Sequence, residues 1–280
     1  MPSTVVIIGA GGKMGGRAAE KIGKSTSYRV VLCESNAERA RALRESGLEV
    51  AQIREVIPQA GFVVMAVPDA LIGPIAHEVA PLMSSRGTLI MLDAAAAYIG
   101  DLPDPGQRTF MITHPCHPPF FTEQATPEAR QDYFGGTAVQ NILVSLISGS
   151  EECFQRGVGL CRAIFAPVDK AHRVTPEEFA LLEPAMSEIV VATAACWMKA
   201  SLEAAVDAGV PREAAEAFMA GHARIALAIA FGAEKSPFSD AAQVAIRWGT
   251  RELIDPNWKR VFRREVLSEA IRTMIHGVDR

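Results

Sequence analysis

The sequence is short of the features that mark a secreted, membrane-embedded or nucleic-acid-binding protein. Its five cysteines (Cys33, Cys116, Cys153, Cys161 and Cys196) are odd in number and form no C-x-x-C pair. That excludes a simple disulfide framework and fits reduced thiols in a cytoplasmic protein. There is no excess of positive charge: 28 Lys and Arg face 32 Asp and Glu, for a formal net charge of −4. Nucleic acid and anionic membrane surfaces are therefore poor partners. The one basic stretch, 258–264, has apolar residues interleaved at helical spacing and reads as a solvated helix face. Charge and glycine interrupt the apolar helical segments, so no bilayer span is expected. The first predicted strand opens at residue 4, which leaves no room for a signal peptide. No internal repeat or low-complexity linker is present.

What is there begins at the first strand. Thr4-Val5-Val6-Ile7-Ile8 is a β-branched apolar run, long enough for a buried strand and too short for a helix. It leads into Gly9-Ala10-Gly11-Gly12-Lys13-Met14-Gly15-Gly16 and then into Arg17-Ala18-Ala19-Glu20-Lys21-Ile22, which reads as helix. Strand, glycine turn and helix together form the setting of a dinucleotide-binding turn. Met14 stands where the last glycine of G-x-G-x-x-G would be. The spacing fits G-x-x-G-x-x-G (Gly9, Gly12, Gly15) or G-x-G-x-x-x-G (Gly9, Gly11, Gly15). Gly9 permits the sharp turn, Gly11 or Gly12 lets a diphosphate reach bare backbone, and Gly15 lets helix and strand pack closely. Lys13 sits near the diphosphate, at the positive end of the helix dipole.

A chain of 280 residues suggests about two domains, and it can bury roughly three-quarters of its unfolded surface without a disulfide or metal staple. Predicted strands at 28–33, 61–67, 88–93 and 110–113, with a weak one at 48–50, alternate with helices at 36–46 and 70–84. Near-continuous apolar strands in that pattern imply an α/β fold, a Rossmann doubly wound, mostly parallel sheet covered on both faces. An added strand at 141–147, a helix at 151–164 and an extended piece at 166–173 complete the first domain, 1–175. Thr175-Pro176-Glu177-Glu178 is a capping-box helix start. It opens a second, all-α domain, 176–280, with helices near 176–183, 185–208, 211–231, 240–253 and 256–276.

Ligands of parallel sheets sit at the carboxyl ends of the strands. That edge carries Gly9 to Gly15, Glu34, Pro68, Asp69, Asp93 and His114. Glu34 closes the second strand 25 residues after Gly9, where an acid contacts the adenosine ribose. Its charge opposes a 2′-phosphate by up to about 4 kcal/mol at ~4 Å and an effective dielectric of ~20. NAD is therefore expected over NADP. Arg39 and Arg41 lie nearby and fit the outer face of the next helix.

Thr113-His114-Pro115-Cys116-His117-Pro118-Pro119 puts two histidines in a stiff, proline-bound loop after a strand. His114 there suits a general base beside a nicotinamide or a metal ligand that polarises a substrate oxygen. His117 reads equally well as functional or as a loop histidine satisfied by backbone, and Cys116 reads as packing rather than as a nucleophile. In the helical domain Glu183, Glu188, Lys199, Glu203 and His222 are candidates. Glu188 and Lys199 share a helix face, although Lys199 with Glu203 also makes an ordinary i, i+4 pair. Glu183 precedes Pro184, where it either caps a helix or serves the site. His222 is a core or a functional histidine.

These strings resemble the 6-phosphogluconate dehydrogenase-like superfamily through the glycine turn, Ala66-Val67-Pro68-Asp69, Leu92-Asp93 and the helical second half. The histidine–proline loop, Leu182-Glu183-Pro184-Ala185-Met186-Ser187-Glu188 and Gly221-His222-Ala223-Arg224 are similar to its D-apionate oxidoisomerase branch. The resemblance spans nearly the whole chain. It implies a cytoplasmic NAD-dependent oxidoreductase acting on a branched sugar acid, with a coupled 1,2-shift. It also implies His114, Glu183 and Lys199 as catalytic residues, His114 and Glu183 as ligands of a divalent metal, and a homodimer through the helical domain. Two departures stand out. The Asp-x-Ser-Thr loop of β-hydroxyacid dehydrogenases has become Asp93-Ala94-Ala95-Ala96, and the asparagine four residues after their catalytic lysine is Glu203 here. A prephenate-dehydrogenase-like or other β-hydroxyacid dehydrogenase, which shares the His-Pro element after a strand, and a non-catalytic NAD(H) sensor are the competing readings.

Overall fold

Consecutive apolar residues in a short strand require cover on both faces, and the computed structural model, which describes residues 2–277, supplies it. Val5 and Ile7 join one apolar cluster with Phe62, Val64 and Ile90, whereas Val6 and Ile8 join another with Val63, Met65 and Leu89. Alternate side chains thus enter opposite faces of the sheet. The strands are β1 (Ser3–Ile8), β2 (Tyr28–Cys33), β3 (Phe62–Met65), β4 (Thr88–Met91), β5 (Thr109–Pro115), β6 (Gln140–Ser148) and β7 (Val168–Arg173). They form one sheet in the order β2-β1-β3-β4-β5-β6-β7. The first five are mutually parallel, β6 runs antiparallel to β5, and β7 is parallel to β6.

Helices α1 (Lys13–Gly23), α2 (Ala37–Glu45), α3 (Ile53–Val56), α4 (Asp69–Val79), α5 (Ala95–Tyr98), α6 (Pro127–Arg130) and α7 (Glu151–Ile164) connect these strands. Helix α1 begins at Lys13, four residues earlier than its sequence suggests, so Gly15 and Gly16 lie inside its first turns. The expected strand at 48–50 reduces to a single bridge between Leu32 and Val50. It is pinched between the Gly47 turn (φ 81°) and α3.

The connection from β5 to β6 contains a tightly stapled turn. The Asp132 carboxylate accepts hydrogen bonds from the backbone N–H groups of Phe134, Gly135, Thr137 and Ala138 at 2.6–3.1 Å. Burial alone would raise this carboxyl, but the N–H groups outweigh it and hold it far below the usual carboxylate range. Gly135, at φ 89°, backs onto the Gln140 side chain, whose amide donates to the Gly135 carbonyl.

The chain separates into two units: residues up to Leu181 together with the segment from Ile271, and Leu182–Ala270. The division falls inside one helical run. Helix α8 (Pro176–Ala180) starts with the expected capping box between Thr175 and Glu178. It is anchored by Phe179, which is fully buried among the core residues on one face of the sheet. A π-helical stretch, Leu181–Ala192, follows and passes directly into α9 (Thr193–Asp207). The helix break expected at Pro184 does not occur. Proline cannot donate to an i−4 carbonyl and its ring crowds that turn, and the wider π turn absorbs both defects. The joined run Pro176–Asp207 is, by length and composition alone, apolar enough to cross a membrane, which corrects the expectation that its helices are too interrupted.

The second unit continues with α10 (Arg212–Ala230) and α11 (Asp240–Leu253). The single helix expected at 256–276 is a 3-10 turn, Trp258–Phe262, an extended Arg263 (φ −85°, ψ 137°), and α12 (Arg264–His276). The basic stretch 258–264 therefore straddles two elements and is not one helix face. This unit leaves many large apolar side chains in solvent, among them Trp197, Phe218, Phe231, Val244, Trp248 and Leu253.

Replacing Asp132 with alanine is expected to lower stability by about 1–3 kcal/mol at neutral pH, toward the lower end because water competes at this half-exposed site. The folded-state carboxyl is depressed, so its contribution is complete above roughly pH 4 and fades as the pH falls further. Urea unfolding should show the gap between wild type and Asp132→Ala closing in acid. A gap unchanged by acidification contradicts the staple.

Candidate functional site

The glycine turn is built by contacts that no side chain tolerates. Gly9 takes φ 80°, and a Cβ on Gly15 would overlap the Gly9 carbonyl oxygen. Strand β1 and helix α1 can therefore meet at backbone distance. The N-cap of α1 is Gly12, with extended backbone and no side-chain cap, and no acid occupies the first turn. Its leading N–H groups and positive dipole end are left for an anion. Glu34, at the end of β2, accepts from Gly11 N–H at 2.8 Å through Oε2 and from Asn36 N–H at 2.8 Å through Oε1. Both bonds fix its carboxylate beside the turn. A Cβ on Gly11 would lie 2.7 Å from that Oε2 and equally close to Arg39 Cβ, so the site needs glycine here too.

Farther along the same edge, Pro68 is the N-cap of α4 and Asp69 its first residue. Burial, and then the Asp93 carboxylate, push the Asp69 carboxyl up to about 6. Asp93 is itself buried, and its Oδ1 accepts from Ala95 N–H at 2.6 Å. His114 Nδ1 lies 2.8 Å from the Leu92 carbonyl oxygen. A carbonyl only accepts, so Nδ1 carries the proton and Nε2 presents its lone pair.

Glu183 lies three residues beyond Ala180, the anchored end of α8, within the first turn of the π-helical stretch, and it is 6% exposed. Asp93, His114 and Glu183 each offer one ligand atom, and these atoms lie within 4.8 Å of one another. The sequence pairs His114 with Glu183, and the structure brings those two together and adds Asp93. Asp93 is visible in sequence only as an acid closing a buried parallel strand, and its lost hydroxyl neighbours draw attention away from it. Two carboxylates and an imidazole nitrogen form a mixed oxygen–nitrogen set suited to a divalent cation, and the hydrogen bond to the Leu92 carbonyl already orients the histidine.

The remaining candidates part company. His117 adopts φ 59°, sets its Nδ1 3.3 Å from the Phe134 carbonyl, and places its ring 6.2 Å from that of His114. Burial, with repulsion from His114, Arg17 and Lys13, lowers its proton affinity despite that carbonyl. The Cys116 thiol is pushed up by burial, which leaves it unactivated. In the second unit Lys199 pairs with Glu203 at 2.6 Å, and Glu203 also holds Arg212. This is the i, i+4 surface pairing. His222 is exposed and stacks on Phe218 at 3.8 Å, so it is not a core residue.

Residues 122–275 match the family described as phosphogluconate dehydrogenase (decarboxylating) C-term, and residues 2–113 match the acetohydroxy acid isomeroreductase, NADPH-binding domain. The D-apionate oxidoisomerase of Cupriavidus necator is 42% identical over 275 residues, covering 97% of this chain and 99% of that protein. The enzyme of the same name from Rhizobium rhizogenes is 36% identical, covering 96% and 98%. Among solved structures, a semialdehyde dehydrogenase NAD-binding protein from Cupriavidus necator, in complex with calcium and NAD, superposes with a TM-score of 0.93. Its identity is 40%, with 98% of this chain and 100% of that chain covered. A ketol-acid reductoisomerase from an uncultured archaeon shares the fold at a TM-score of 0.70 and 17% identity, covering 98% and 82%. With such identity sustained over almost its entire length, the chain belongs to the D-apionate oxidoisomerase family.

Proposed function

We propose that this chain is an NAD-dependent oxidoisomerase of D-apionate or a closely similar branched sugar acid, and that it uses a divalent cation. The observation that carries the reading is the convergence on one sheet edge of an uncapped glycine turn with Glu34 and the cluster Asp93, His114 and Glu183. The names of its relatives supply the substrate, and the solved relative holds both NAD and calcium.

The residues present fit both groups. The helix start offers free N–H donors where a side-chain cap would otherwise sit, and Glu34 is held where it can accept from ribose hydroxyls and repel a 2′-phosphate. That charge favours NAD, although the matching amino-terminal family is named for NADPH. Asp93, His114 and Glu183 are the ligands proposed for the cation, and the Leu92 carbonyl locks the His114 tautomer. Bound coenzyme supplies a hydride acceptor, and a bound divalent cation supplies polarisation of adjacent substrate oxygens. Oxidation leaves a ketone beside a tertiary alcohol, and a 1,2-shift then needs both oxygens held in one orientation. Rigid placement of the three ligand side chains on a strand end, a strand and an anchored helix meets that need.

The protein is proposed to work as a cytoplasmic homodimer through its helical unit. Trp197, Phe218, Phe231 and Trp248 are large apolar side chains left exposed in that unit, and a second copy would cover them. All five cysteines are free, as suits a reducing compartment.

Incubation with NAD and D-apionate should generate NADH absorbance and an isomerised acid without carbon dioxide. Carbon dioxide release would instead indicate an oxidative decarboxylase. His114→Asn should lower turnover by roughly 100-fold or more while calorimetry shows NAD affinity unchanged, and full turnover in that variant contradicts the assignment. Adding a divalent cation to chelator-treated protein should raise the melting temperature, and Asp93→Asn with Glu183→Gln should abolish the rise. Glu34→Gln should narrow the preference for NAD over NADP by at least about tenfold. An unchanged preference would remove Glu34 from coenzyme selection.

A further inference from the structure

Helix α1 carries Lys13, Arg17 and Lys21 at successive i, i+4 positions, so the three cations form one stripe down its side. The Asp132-stapled turn lies along this stripe. Lys13 Nζ stands 4.0 Å from the centre of the Phe134 ring, and the Arg17 guanidinium carbon stands 4.5 Å from it. The Phe134 carbonyl accepts from both terminal nitrogens of Arg17, at 3.4 and 3.3 Å, and from His117 Nδ1 at 3.3 Å. Lys21 donates to the Gly136 carbonyl at 2.5 Å.

Two cations are thus held beside the positive end of a helix dipole, and among the described residues neither Lys13 nor Arg17 forms an ion pair with a carboxylate. Ring quadrupole and carbonyl dipoles compensate them in part. Like charges at a helix N-terminus repel, and an anion relieves that repulsion. The aromatic face fixes one side of each cation, and the Phe134 carbonyl takes one N–H from each terminal nitrogen of Arg17. The same residue, through its carbonyl, sets the tautomer of His117, whose φ of 59° marks a backbone held in a costly conformation.

We propose that Phe134 is a positioning residue for coenzyme binding. Its ring holds Lys13 and Arg17 ready for the coenzyme's diphosphate, and its carbonyl ties that arrangement to His117, which keeps Nε2 bare to accept from a substrate hydroxyl. This rests on the dinucleotide reading of the glycine turn. The role has no motif in the sequence because the ring reaches α1 from more than a hundred residues away.

The test is a double-mutant cycle on the full-length protein, with NAD affinity measured by calorimetry. Phe134→Leu should weaken NAD binding roughly tenfold, because Lys13 and Arg17 lose the ring that places them, and Phe134→Trp should restore it. In a Lys13→Met background the same Phe134→Leu change should weaken binding only about threefold, because one of the two contacts is already gone. Should Phe134→Leu not fold, Phe134→Met, which keeps a linear apolar side chain without a ring, is held to the same criteria. Wild-type affinity in the leucine variant, or an equal loss in both backgrounds, overturns the proposal, since a purely structural role for Phe134 would act equally in both. Absence of NAD binding by the unaltered protein overturns the dinucleotide reading itself, a failure distinct from the other two.

Discussion

The backbone of Gly15 rests against the carbonyl of Gly9, and there is no room there for a β-carbon. That contact brings α1 onto β1 and aims its uncapped first turn at the carboxyl edge of the sheet. Gly12 as N-cap and the absence of an acid in that turn leave the helix end electrostatically incomplete. Glu34 is then drawn onto Gly11 N–H, Lys13 and Arg17 onto Phe134, and the Asp132-stapled turn onto the exposed side of α1. A methyl group at residue 15 would displace the helix start that all of these contacts surround.

The second half of the edge is organised by a different constraint, the placing of polar groups at the rim of an apolar core. Asp93 lies two residues past a strand whose four residues are all buried, and His114 sits near the end of β5. Each is tied by one hydrogen bond to nearby backbone, Asp93 to Ala95 N–H and His114 to the Leu92 carbonyl. One oxygen and one nitrogen are thereby left for other work. Glu183 is delivered by the π stretch around Pro184. That wider turn is a local departure from α-helical geometry of the kind that collects at functional sites. Asp69 has its carboxyl raised first by burial and then by the neighbouring Asp93, and a divalent cation would oppose the second of these effects.

Much of this was legible in the sequence wherever one residue type has one physical use. The β-branched runs gave the parallel strands, Thr175 through Glu178 gave the capping box, and the Gly9 to Gly15 spacing gave the turn. The carboxyl-edge rule places Glu34, Asp69, Asp93 and His114 on one rim of the parallel strands. Pro184 misled, because proline's local rule is to end a helix, and only the surrounding packing allows a π turn in its place. Phe134 and Asp132 were invisible because their partners lie far away along the chain or are bare backbone groups. Lys199 drew attention as a lysine on an apolar helix, yet its neighbour Glu203 satisfies it at the surface.

The central claim is that one rim of the sheet holds both a diphosphate cradle and a cation set. A crystal structure of the protein with NAD and manganese tests it most directly. The account predicts diphosphate oxygens on the N–H groups that open α1, and an anomalous manganese peak among Asp93, His114 and Glu183. A dinucleotide bound elsewhere, or manganese seated away from those three residues, would contradict it.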